Sequence, residues 1–186
     1  MPPVHRLPPP PHSRRQFLRA AGLAAATLVP VGAACARSLE RRSVSFVHTH
    51  TGERLSAVYF QDGAYQPASL ERINYLLRDF RTEDIHVIDP ALLDVLYELR
   101  TRIDRDDPFE VISGYRSPHT NAELRSHSHG VAEHSMHMEG KAIDIRVAGY
   151  STRKLRDVAL GMQRGGVGFY ASSDFVHLDT GRVRFW

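Results

Sequence analysis

The sequence is poor in the features that would place it in several common classes. Of its 186 residues only one is cysteine, Cys35. That residue lies within a stretch with the marks of an export signal, so the remainder carries no thiol, no disulfide and no Cys-ligated metal. No apolar run reaches the roughly 20 residues that a membrane-spanning helix requires. Beyond residue 36 there is no cluster of Lys or Arg, no internal repeat and no low-complexity segment. A disulfide scaffold, an integral membrane protein, a repeat array and a nucleic-acid binder are therefore all disfavoured.

The first 36 residues account for the basic balance of the chain. They contain Ser13-Arg14-Arg15-Gln16-Phe17-Leu18, a twin-arginine pattern, then a weakly apolar run from Ala20 to Val31 and the small residues Ala34-Cys35-Ala36. This is the layout of a Tat signal with cleavage near Ala36. Lipid anchoring at Cys35 is the second choice, because the bulky apolar residue expected three positions earlier is absent. The segment carries Arg6, Arg14, Arg15 and Arg19 and no acid. Of the chain's 24 basic and 21 acidic residues, it leaves 20 basic against 21 acidic. The expected organisation is a signal at 1–36, a charged linker at 37–42 and one domain at 43–186, exported to the periplasm or envelope and monomeric. About 150 residues suffice for one real core.

Within that domain, Val44 to Val47 and Leu55 to Phe60 read as strands around the polar turn His48-Thr49-His50-Thr51-Gly52-Glu53. Leu70, Ile73, Leu77 and Phe80 predict a helix over Ala68 to Phe80. Asp89-Pro90 is an N-cap followed by proline, opening a helix whose apolar face is Leu92, Leu96, Leu99 and Ile103. Phe109 to Ile112 predicts a strand, and Ser117-Pro118 starts another helix. Lys141 to Val147 is a strand. Leu155 to Met162 is a helix stopped by Gly165-Gly166, and Val167 to Tyr170 and Phe175 to Asp179 are the last strands. Helices come early and strands crowd the end, which predicts an α+β fold with an antiparallel sheet and helices on one side.

The chemistry concentrates in Ser135-Met136-His137-Met138-Glu139-Gly140-Lys141-Ala142-Ile143-Asp144. Alternation along the strand sends Ile143, Ile145 and Val147 to the core and Asp144 to the opposite face. His137 sits one tight turn before it. In Phe175-Val176-His177-Leu178-Asp179, Val176 and Leu178 face inward and His177 faces outward. If the two strands are neighbours, His137, Asp144 and His177 converge. Two imidazoles and a carboxylate, with one position left for water, form the donor set of a catalytic zinc site.

The pattern Ser-x-His-x-x-Gly-x-Ala-x-Asp with a downstream Val-His-x-Asp resembles the zinc peptidases that include D-Ala-D-Ala carboxypeptidases, dipeptidases and murein endopeptidases, family M15. Within it the chain is similar to the murein endopeptidase K group. The shared segments are Phe46–Glu53, Leu77-Arg78-Asp79, Ile88-Asp89-Pro90, Ser113-Gly114-Tyr115-Arg116-Ser117, Gly166–Tyr170, Asp179–Arg184 and Trp186. The resemblance implies the hedgehog/D-Ala-D-Ala-peptidase-like fold and one Zn²⁺ held by His137, Asp144 and His177. It implies peptidoglycan as substrate, with cleavage of cross-links next to meso-diaminopimelate, including the direct link between two such residues.

It also implies an Arg that contacts substrate near the scissile bond, here Arg116, and a proton-transfer acid three residues before the last ligand. That position holds Asp174 where carboxypeptidase-type members have Glu; His134 and His129 are the reserve candidates. Ser135 is expected to support Asp144 or a ligand by a hydrogen bond, and Asp179 to orient His177. His127 and His129 are expected on a rim, and His48 and His50 in structural or substrate-facing roles. The alternatives are a D,D- or L,D-carboxypeptidase trimming stem peptides and a wall- or zinc-binding module without catalysis.

Overall fold

A computed structural model of the chain describes residues 40–127 and 131–186. The predicted signal, Cys35, most of the linker and His129 lie outside the described residues.

The elements run β1 (Arg41–His48), β2 (Arg54–Gln61), β3 (Ala64–Tyr65), α1 (Pro67–Leu76), α2 (Pro90–Ile103), β4 (Phe109–Ser113), α3 (Pro118–His127), a 3₁₀ turn (Met136–Glu139), β5 (Ala142–Val147), α4 (Thr152–Met162), β6 (Gly166–Tyr170), β7 (Phe175–Asp179) and β8 (Arg184–Phe185). Several boundaries follow from local chemistry. Asp89 Oδ1 accepts from the Ala91 amide at 2.9 Å and caps α2, with Pro90 in its first turn. Asp104, in the left-handed region, ends that helix.

Other boundaries depart from expectation. Strand β1 begins at Arg41, inside the predicted linker. Arg42 pairs with Asp94 at 2.8 Å and stacks over Phe60, which carries the ladder outward. Helix α1 stops at Leu76 rather than Phe80, because the chain turns at Leu77 and buries Asp79 instead of continuing an amphipathic face. Helix α4 ends on Gln163 at φ 54°, before the two glycines. Gly165 serves a close approach instead: a Cβ there would lie 1.8 Å from the Asp179 carbonyl oxygen.

The strands form one sheet in the order β3-β2-β1-β4-β5-β7-β6-β8. The α+β class is as expected, but the sheet is mixed rather than antiparallel: β1 lies parallel to β4 and β6 parallel to β8. These pairings join segments distant in sequence or follow a reversal that strand patterning does not encode.

Helices α1, α2 and α4 bury residues against one face of the sheet. Ile73, Leu92, Leu96, Leu99 and Leu155 join Val44, Phe46, Tyr59, Phe109, Val111, Ile143, Ile145, Val176 and Leu178 in a continuous core. Burying such side chains contributes about 1.5–3 kcal/mol each. Helix α3 adds nothing to that core; its buried residues are Thr120 and Asn121. Alternation then leaves the other face of the central strands β5 and β7 free for polar side chains.

Candidate metal centre

Strands β5 and β7 are antiparallel neighbours, and Asp144 is the direct partner of His177 in their register. Both are buried. His137 reaches them from the 3₁₀ turn. Its turn is shaped by Ser135, whose hydroxyl accepts from the His137 amide at 3.3 Å, and by Gly140 at φ 65°. Gly140 is tightly constrained, since a Cβ would sit 2.1 Å from the Val87 carbonyl oxygen. The Ser135 hydroxyl therefore supports the turn that carries His137 and makes no bond to Asp144.

Three electron-rich atoms converge. His137 Nε2 and His177 Nδ1 are 3.1 Å apart, and Asp144 Oδ1 is 2.9 Å from His177 Nδ1 and 3.3 Å from His137 Nε2. The outer nitrogens settle the tautomers. His137 Nδ1 donates to the Gly114 carbonyl at 2.7 Å, and His177 Nε2 donates to Asp179 Oδ2 at 3.0 Å. When neutral, both rings thus aim a lone pair inward beside a carboxylate oxygen, an arrangement that repels itself unless a cation lies between. Tetrahedral zinc with bonds near 2.0–2.2 Å sets its ligand atoms roughly 3.3 Å apart. The residues fit such an ion, and among the described residues this is the one His/Cys/Asp/Glu group that could hold a metal.

The electrostatics agree. Burial alone would raise the Asp144 pKa, but His137 and His177 outweigh it and hold the carboxyl well below the usual carboxylate range. Burial would lower the His177 pKa, yet the hydrogen bonds that its protonated ring gives to Asp144 and Asp179 raise it. The centre demands positive charge. Asp179 is itself held as a carboxylate: burial opposes this, but His177, both Arg184 amino groups at 3.0 and 2.7 Å, and the Gly181 amide prevail.

Arg116 lies against the cluster. Its side chain is 12% exposed, its Nη2 is 3.7 Å from Asp144 Oδ2, and its buried Nε has no partner. Burial disfavours its charge and Asp144 offsets this in part. Its backbone amide donates to the His137 carbonyl at 3.2 Å, so Gly114–Arg116 and His137 grip each other in both directions. Beneath them Tyr115 donates to the Leu77 carbonyl at 2.7 Å, and the Ser117 amide donates to Asp79 at 2.8 Å. Asp79 is a support that helical periodicity missed: its stretch fits the apolar pattern of α1, and nothing local marks a buried acid.

Asp174 is not brought to the centre. Its carboxylate is 64% exposed, accepts from Thr152 Oγ1 at 2.8 Å, and lies 4.0 Å from Arg146 Nη1. A bend does occur there, with Asp174 at φ 52°, but it turns the side chain toward the start of α4. A cavity of about 450 Å³ opens over the cluster, lined among others by Arg116, His134, Tyr170, Phe175, Arg184 and Trp186. The three aromatic rings and Arg184 had no role assigned from sequence. His48 is buried, with its Nδ1 accepting from the His50 amide at 3.2 Å and its Nε2 without a partner among the described residues.

Comparison with known proteins gives one consistent answer. A family profile described as peptidoglycan L,D-endopeptidase MepK matches residues 36–186. The peptidoglycan L,D-endopeptidase MepK of Escherichia coli K12 is 41% identical over 176 residues, covering 94% of this chain and 97% of that protein. The probable peptidoglycan L,D-endopeptidase MepK of Haemophilus influenzae is 44% identical over 146 residues, 78% of each chain.

Proposed function

Since the chain belongs to the MepK group of the M15 peptidases, we propose that it is a zinc peptidase that hydrolyses peptide cross-links of peptidoglycan at bonds next to meso-diaminopimelate. The observation that carries this is the convergence of His137 Nε2, Asp144 Oδ1 and His177 Nδ1 at the base of an open cavity. Zinc in such a site acts as a Lewis acid on the scissile carbonyl and brings the ionisation of water down to about pH 7.

The chain's own groups supply the rest. Gly114 and Asp179 hold the two imidazoles in the ligating tautomer. Arg116 holds a substrate carboxylate or the oxygen that gains charge as the peptide bond is attacked. Among the described residues Asp144 is the one acid lining the cavity and is committed to the metal, whereas Arg116 lines it with a buried Nε that has no partner, Arg184 being paired with Asp179. That balance favours a substrate residue with a free carboxylate, as in meso-diaminopimelate, over one with only an amine. His134 takes the proton from the attacking water and passes it to the leaving amine. It lines the cavity, and an imidazole can both accept and return a proton.

The chain is read as exported through the Tat signal at 1–36, cut near Ala36, with the domain that starts at strand β1 acting as a monomer in the periplasm. Among the described residues no helix is long and apolar enough to cross a membrane.

Mass spectrometry of sacculus digests tests the assignment. Split cross-linked dimers are expected, abolished by a chelator and restored by zinc. Stem peptides shortened by one residue would indicate a carboxypeptidase, and intact dimers with bound protein would indicate a binding module. The proton-transfer role has its own test. Asp174→Asn is expected to keep kcat/KM within about threefold of the parent, the scale of a surface substitution. His134→Gln is expected to lower it by about 10²-fold.

A further inference from the structure

Trp186 is the chain's one tryptophan. It contributes nothing to the core and leaves half its surface open in the cavity, with its ring 5.2 Å from that of His177. Its position is nevertheless fixed from every side. The Trp186 amide donates to the Val167 carbonyl at 3.3 Å, and the Phe169 amide donates to the Trp186 carbonyl at 3.0 Å. The indole Nε1 donates to the Tyr170 hydroxyl at 2.9 Å. The Arg184 guanidinium lies 5.0 Å from the ring centroid. Gly168 opens the space beneath, because a Cβ there would come within 2.7 Å of the indole. Beside it Tyr170 stacks on Phe175 with centroids 4.5 Å apart and planes 17° from parallel. Three rings therefore make one rigid wall of the cavity.

A large apolar ring held rigid but unburied beside a reacting centre is the form of a binding anchor. Its conformational cost has been met before a ligand arrives, and the burial it offers is gained only on binding. The polar groups along the wall are already engaged: the indole N–H with Tyr170, and Arg184 with Asp179 at 3.0 and 2.7 Å. A sugar would lose water from its hydroxyls there and find few partners in return. A hydrocarbon chain loses nothing.

Building on the peptidase reading above, we propose that Trp186, with Tyr170 and Phe175, forms the subsite that receives the aliphatic side chain of the diamino-acid residue flanking the scissile bond. The wall then sets which residue stands over the metal, and Trp186 is a specificity-determining residue rather than a structural end to the sheet.

The experiment compares the parent with Trp186→Ala and Trp186→Phe on a purified cross-linked muropeptide dimer and on the same dimer freed of sugar. Trp186→Ala is expected to raise KM about tenfold or more with kcat much less affected, on both substrates, and Trp186→Phe to recover most of the loss. Zinc content stays at one per chain. In the chelated parent protein, which binds without turnover, the sugar-free dimer is expected to change the single indole's emission saturably. Unchanged kinetics in Trp186→Ala would overturn the proposal. So would a loss of zinc and kcat at constant KM, which marks a purely structural role through Arg184, Asp179 and His177. So would an emission response confined to the sugar-bearing dimer. A parent protein that cleaves nothing while its indole still responds to the sugar-free dimer would sink the peptidase reading and leave the subsite standing. Neither turnover nor response would remove both.

Discussion

His137→Ala is expected to lower the cleavage of cross-linked dimers by about 10³-fold or more, since a bound metal supplies several kcal/mol of transition-state stabilisation and each 1.4 kcal/mol is tenfold. The substitution removes one of three inward-facing donor atoms. It leaves Asp144 and His177 to hold the ion alone. It also frees the Gly114 carbonyl, whose partner is the His137 Nδ1 proton at 2.7 Å. An unpartnered buried carbonyl costs about 1–3 kcal/mol, so thermal unfolding is measured alongside activity. Asp144→Asn provides the second variant: it keeps the shape of the side chain and removes the charge that both imidazoles face at 2.9 and 3.3 Å. Both variants are expected to bind zinc far more weakly by direct metal analysis after dialysis. Full activity in either one would refute the ligand assignment.

Arg116→Ala has the next largest expected effect, a fall in kcat of about 10²–10³-fold, the usual consequence of deleting one preorganised donor to developing charge. The structure separates this role from metal binding. The Arg116 Nη2 is 3.7 Å from Asp144 Oδ2, beyond a hydrogen bond, and its Nε is buried without a partner. A guanidinium desolvated to that degree and left incompletely bonded is poised for a ligand. Zinc content is expected to remain at one per chain in Arg116→Ala. Arg116→Lys is expected to recover little, because an ammonium cannot reproduce the planar two-pronged contact. Added guanidinium restoring part of the rate in Arg116→Ala would support the assignment; loss of zinc with the loss of rate would shift Arg116 to the role of holding Asp144.

The candidate ligand set was legible because it rests on short-range rules. Alternation along 142–147 and 175–179 needs no knowledge of the fold to place Asp144 and His177 opposite the apolar residues. The N-cap at Asp89 and the turn at Gly140 are equally local. Asp174 shows the limit of the same reasoning. Its spacing to His177 matches a functional pattern, but the left-handed turn before β7 leaves its carboxylate on Thr152. The aromatic wall was invisible for a different reason. Trp186 meets His177 only because β8 lies parallel to β6, a pairing that neither strand's pattern encodes.

Sequence alone thus determined the longer elements, the core face of each central strand and the chemical identity of the candidate metal ligands, since these depend on periodicity and on residue type, whereas the two-residue strands β3 and β8 carried no such signal. Tertiary structure decided the mixed order of the sheet, the grip between Gly114–Arg116 and His137, the support from Asp79, the placement of the Asp174 carboxylate on Thr152 and the placement of Trp186. Those depend on which strands become neighbours and in what register, and that is settled by the packing of the whole chain around one core rather than by any segment of it.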